Sequence, residues 1–167
     1  PTSPAFTRNT IESGTQVMDA VAAGDINGDG RTDIVLAGFS YLAWYDQPNW
    51  TKRVIATSSG GRSFGAGAMT IVRDINGDGR NDVVTGNQKT QEELWFENTG
   101  SGWTPHVIYS GSKFHDIAFG DFNGNGKIEA IGIDQGSNKR IVLLTPGPDI
   151  RQPWGVTVIA SGNNMGI

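Results

Sequence analysis

The sequence predicts an all-β chain assembled from copies of one four-stranded unit, and three observations carry that expectation. Glycine, at 24 of 167 residues with 7 Pro, is too abundant for a helical protein but lacks the strict period of collagen. Apolar residues fall in short runs bounded by Gly, Asn, Asp and Ser, and no run keeps helical spacing over the ~10 residues a helix requires. Finally, the segment GDINGDGRTDIV at 24–35 recurs as RDINGDGRNDVV at 73–84 and as GDFNGNGKIEAI at 120–131.

The first unit shows the elements in order. A strand at 20–23 runs into the Asp- and Gly-rich loop. A second at 34–37 leaves it, a third lies at 41–45, and a fourth at 52–56 closes the unit. Other landmarks keep step. Trp44-Tyr45-Asp46 corresponds to Trp95-Phe96-Glu97 and more loosely to Leu143-Leu144-Thr145. A closing aromatic-to-Ile signature reads WTKRVI at 50–55, WTPHVI at 103–108 and WGVTVI at 154–159, with FTRNTI at 6–11 as a further copy. The first loop Asp recurs at 25, 74 and 121. Four antiparallel strands in such a period is the size of one β-propeller blade.

The complete repeats are expected at about 15–57, 64–110 and 111–160, with 1–14 the last strand of a preceding blade and 161–167 the start of a following one. Propellers close with ~4 to 8 blades, so three repeats read as a stretch of a larger propeller. The alternative is a chain that closes its ring by self-association and so hides its sheet edges.

The loop spacing D-x-N-G-D-G-x-x-D offers side-chain oxygens at positions 1, 3, 5 and 9 and a backbone carbonyl at position 7. Ca²⁺ takes ~6 to 8 oxygen ligands and suits that set once water is included. The candidate donors are Asp25, Asn27, Asp29, the Arg31 carbonyl and Asp33 in the first loop, and Asp74, Asn76, Asp78, the Arg80 carbonyl and Asp82 in the second. The third loop supplies Asp121, Asn123, Asn125, the Lys127 carbonyl and Glu129, with two carboxylates in place of three. Up to three Ca²⁺ are expected, stapling the turn between the first two strands of each blade. An EF-hand is excluded, because position 12 is Leu36, Thr85 or Gly132 where a bidentate Glu is required. The other reading of these loops is a set of Asx-turns in which Asp, Asn and Gly serve the backbone alone. Against it, three carboxylates converging on a short loop repel one another without a cation.

Composition narrows the rest. With no Cys there is no disulfide framework and no thiolate metal site. With 13 Lys+Arg against 17 Asp+Glu, the net charge of -4 disfavours nucleic acid. No apolar run approaches the ~18 residues of a membrane span. Eight of the 17 acidic residues sit in the three loops, and three bound divalent ions would turn -4 into +2. An anionic glycan is therefore admissible as a partner.

Motif, period and accessory aromatics together make the chain resemble the FG-GAP/VCBS repeats over residues 6–167. Those units carry D-x-[DN]-x-[DN]-G-x-x-D after a short hydrophobic strand, and Phe64-Gly65 ahead of the second loop matches their Phe-Gly element. The resemblance implies a Ca²⁺-bound, extracellular β-propeller. It is of the kind found in integrin alpha chains, fungal propeller lectins and secreted bacterial proteins, several polysaccharide lyases among them. Asn125, Glu129 and Leu143 depart from the pattern in the third unit. Fold follows from such a likeness more directly than activity does.

In an up-and-down blade the metal loops mark one face, and the opposite face is expected to carry Arg62, Phe64, Lys89, Lys113, His115, Lys139 and Arg140, with Gln88, Gln135 and Asn138. That surface suits a carbohydrate or a protein ligand; the plainer reading is a solvated loop rim. The five Trp residues fall at repeat-equivalent positions, which assigns them to packing between blades. For catalysis the candidates are His106, Tyr109, His115, Asp116 and Asp134, with His115 preferred, but no Ser-His-Asp, nucleophile-elbow or phosphate-loop signature is present. The sequon Asn49-Trp50-Thr51 matters only in a eukaryotic secretory host. The function expected is a binding module for carbohydrate recognition or adhesion. The alternatives are a segment of a secreted polysaccharide lyase or glycosidase, and a purely structural repeat.

Overall fold

A computed structural model describes residues 7–14, 18–58, 63–64, 69–112, 114–136 and 139–162. Among these residues twelve strands form three separate antiparallel sheets of four. The first blade holds β1 (Met18–Gly24), β2 (Asp33–Gly38), β3 (Tyr41–Asp46) and β4 (Thr51–Thr57). The second holds β5 (Thr70–Arg73), β6 (Asp82–Asn87), β7 (Glu92–Asn98) and β8 (Trp103–Ser110), and the third β9 (Phe114–Gly120), β10 (Glu129–Asp134), β11 (Arg140–Thr145) and β12 (Gly155–Ser161). Each sheet runs in chain order, as in a propeller blade. Residues 7–14, expected to lie in the last strand of a preceding blade, form no strand; residues 1–6 and 163–167 lie outside the described residues.

Period-2 alternation explains how one sheet serves two interfaces. Along β7, Leu94 and Phe96 point into a core shared with Val35, Leu42 and Trp44 of the first blade. Trp95 between them points the other way, into a core shared with Phe114, Val142, Leu144 and Trp154 of the third. Of the five Trp expected between blades, Trp44, Trp95 and Trp154 are buried, whereas Trp50 and Trp103, in the slot of Trp154, are half-buried. The Trp154 amide also reaches across to the Ile108 carbonyl at 2.9 Å. A register shift between the third and fourth strands recurs at Leu42/Ala43, Glu93/Leu94 and Ile141/Val142. This shared bulge places Leu42, Glu93 and Ile141 in one slot.

The first two blades meet most tightly where β1 passes β5. A Cβ on Gly24 would stand 2.4 Å from the Val72 Cγ1. Gly24→Ala is expected to cost about 1–2 kcal/mol by overpacking this contact. In a denaturation series with Val72→Ala, the double variant should lose less than the sum of the singles; strict additivity would contradict the contact.

Candidate functional site

The three Asp- and Gly-rich turns join the first and second strands of their blades and share one hydrogen-bond pattern. In the first, the Asp25 carboxylate accepts the Gly28 amide at 2.8 Å and the Asp29 amide at 3.2 Å through Oδ1, and the Gly30 amide at 2.8 Å through Oδ2. Asn27 Oδ1 accepts the Asp29 amide at 3.0 Å and Asp29 Oδ1 accepts the Arg31 amide at 2.9 Å. Asp74, Asn76 and Asp78 repeat these bonds in the second turn, and Asp121, Asn123 and Asn125 in the third. Glycines at positions 4 and 6 carry φ between 76° and 85° in all three turns, a backbone that L side chains rarely adopt. The amides lower the Asp121 carboxyl from its ordinary range, that of Gly126 first.

The position-9 acids do something different. Asp33 is fully buried, and its oxygens accept the Ile26 amide at 3.0 Å and the Gln47 amide at 3.1 Å. It thus ties the turn to the connection between β3 and β4. Asp82 does the same with Ile75 at 3.0 Å and Asn98 at 2.8 Å, and burial pushes its carboxyl up. Glu129 accepts the Phe122 amide at 3.2 Å.

Among the described residues, no three His, Cys, Asp or Glu side chains gather as a metal-holding group. The expected mutual repulsion of three converging carboxylates is therefore relieved within the chain itself. Backbone amides neutralise positions 1 and 9. The position-7 side chain pairs with position 5, as Arg31 with Asp29 at 3.2 Å and Arg80 with Asp78. Where Asn125 replaces the position-5 acid, Lys127 replaces the Arg. The donors that remain are all hard oxygens, and Asp33, Asp82 and the three Asn oxygens each keep a second lone pair on an oxygen that accepts one N–H. In kind, this set fits Ca²⁺ completed by water.

On the opposite face the structure divides the expected ligand residues. Phe64 is buried, packed edge-on against Phe96 at 5.6 Å, and offers no surface to a ligand. Arg140 is spent on the buried Asp134 and on the Tyr109 hydroxyl, which itself donates to Asp134 at 2.9 Å. Burial raises the Tyr109 phenol, the wrong direction for a catalytic base. His115 is exposed and, among the described residues, paired only with its neighbour Asp116 at 2.6 Å, and Lys139 and Gln135 are half-buried at the rim. His106 belongs to a different network, bonded to Glu97 at 2.8 Å and tilted against the Trp95 ring at 4.7 Å. Arg62, Lys113 and Asn138 lie outside the described residues.

Lys89 and Gln88 do line a cleft of about 460 Å³ together with Phe39, Ser58 and Ser63. Phe39, 40% exposed, stands in the turn between β2 and β3. It is absent from the residues picked by charge and polarity. An aromatic in a tight turn, where polar residues are the default, is the signal that could have found it.

Fold and loops together define a propeller-type repeat module. Residues 19–42 match the FG-GAP repeat and residues 74–131 the FG-GAP-like repeat. Both matches support FG-GAP repeats within the chain, the family its loops resemble. A comparison with curated proteins finds no match.

Proposed function

We propose that this is an extracellular, calcium-stabilised propeller module that recognises carbohydrate on the face opposite the metal loops, within a ring completed by further blades. The cleft at Phe39 carries the reading. An exposed aromatic face beside two serines, an amide and a lysine matches the alternating C–H and hydroxyl surfaces of a sugar, and Lys89 admits an acidic one. Calcium is supported by the oxygen-only donor set repeated in three loops, and an extracellular setting by the availability of Ca²⁺ there. Catalysis draws no support from His115 or from the Tyr109, Asp134 and Arg140 cluster, which is committed to the interior.

A glycan array with uronate-containing and neutral polymers tests the ligand. Phe39→Ala is expected to abolish any binding while leaving the thermal midpoint within about 1–2 °C, since the ring is half exposed. Retained binding in that variant would move the site elsewhere. Silence of the wild-type protein on the array would favour a purely structural repeat, and unsaturated uronate products would favour a lyase.

A further inference from the structure

We infer that Arg151, a residue of the third blade, tunes cation binding at the second loop by holding Glu97 against the Asn76 amide. The inference rests on the calcium reading above. For Asn76 to present oxygen to a cation, its amide nitrogen must be anchored elsewhere. The structure supplies two anchors: Nδ2 donates to Glu97 Oε1 at 3.0 Å and to Asp78 Oδ2 at 3.1 Å. Both amide hydrogens are thereby used, and Oδ1 is fixed toward the turn, where it takes the Asp78 amide at 3.0 Å.

Glu97 lies one residue from the end of β7 and is nearly buried, so it holds that amide only if its own charge is met. Arg151 meets it from the connection between β11 and β12, through Nε to Oε2 at 2.9 Å and Nη2 to Oε1 at 2.5 Å. His106 adds a third contact at 2.8 Å. Planar two-point pairing of this kind fixes orientation as well as charge.

The other loops show why this device belongs to the second. In the first blade Asp46 takes the Asn27 amide at 3.1 Å, but its guanidinium partner is Arg53 of the same blade, at 3.0 and 3.2 Å. In the third blade Thr145 stands in the acid's place, and the Asn123 amide turns to Glu129 within its own loop. Among the described residues, only the second loop has its position-3 amide wired through a side-chain ion pair to the next blade. Arg151 and Glu97 are thus positioning residues, and by linkage a cation in the second loop also strengthens docking of the third blade.

Calorimetric titration of the full chain with Ca²⁺ tests this in two backgrounds. With the first and third loops silenced by Asp29→Asn and Asp121→Asn, Arg151→Ala is expected to weaken Ca²⁺ binding about tenfold, and Arg151→Lys to fall between. With the second loop silenced by Asp78→Asn, Arg151→Ala should leave affinity unchanged. Equal loss in both backgrounds, or none in the first, overturns the inference. A wild-type chain that binds no Ca²⁺ overturns the calcium reading itself and the inference with it.

Discussion

Glu93→Leu is expected to stabilise the protein by about 3 kcal/mol at pH 7 and to make almost no difference at pH 4.5. Glu93 is fully buried where β7 faces the third blade, in the slot that Leu42 and Ile141 fill in the other repeats. Burial alone pushes its carboxyl up to about 8. Between pH 4.5 and 8 the folded chain therefore keeps a proton that the unfolded chain releases. Stability is fully present below the ordinary carboxyl range and is lost as pH rises through 8, at about 1.4 kcal/mol per pH unit. At neutral pH the gain from leucine corresponds to roughly 6–12 °C in the thermal midpoint. Melting curves of both proteins at pH 5 and pH 8 read it directly, and a midpoint difference that ignores pH would contradict a buried, neutral Glu93.

Arg151→Ala is expected to have the opposite sign and nearly the same size, a loss of about 2–3 kcal/mol. Glu97 is held down to about 2 chiefly by its hydrogen bonds with Arg151. Removing the guanidinium strands a carboxylate inside the second and third blades with only His106 and Asn76 beside it. Because Arg151 is itself half exposed, the cost falls below that of a wholly buried pair. Adding Glu97→Gln removes the stranded charge and should recover part of the loss in chemical denaturation. A double variant that loses the full sum would mean the two residues act independently.

The blades were legible because each repeat states its elements three times. Strands expected at 20–23, 34–37, 41–45 and 52–56 lie inside β1 to β4, and turn chemistry marks the loops without reference to anything distant. The interior use of Trp44 and Trp95 could likewise be read, since equivalent positions imply a shared role, but the slot of Trp154 is only half-buried at Trp50 and Trp103. Side-chain pairings across strands and between blades were not legible. Phe64 looks like a ligand residue until Phe96 is seen to cover it, and Arg140 looks like a free cation until Asp134 is found beneath it. The bond from Arg151 to Glu97 joins residues far apart in sequence and in different blades, so no local pattern announces it. Glu93 is the instructive case: set against Leu42 and Ile141 it stands out as the one acid in an apolar slot, a mismatch visible in the repeat comparison itself. The position-9 acids were read as cation ligands by spacing alone. Spacing does not reveal that Asp33 and Asp82 each also bridge two backbone amides.

That double use of the loop acids makes the response to calcium the decisive observation. Thermal unfolding of the full chain in excess Ca²⁺ and then in excess chelator tests it in one experiment. If the loops take the ion, the midpoint rises with Ca²⁺ and falls with chelator, each site adding about 2.7 kcal/mol at a hundredfold excess over its Kd. A midpoint that stays fixed would show that backbone amides and arginines satisfy these carboxylates on their own, and the turns would then be Asx-turns without a metal.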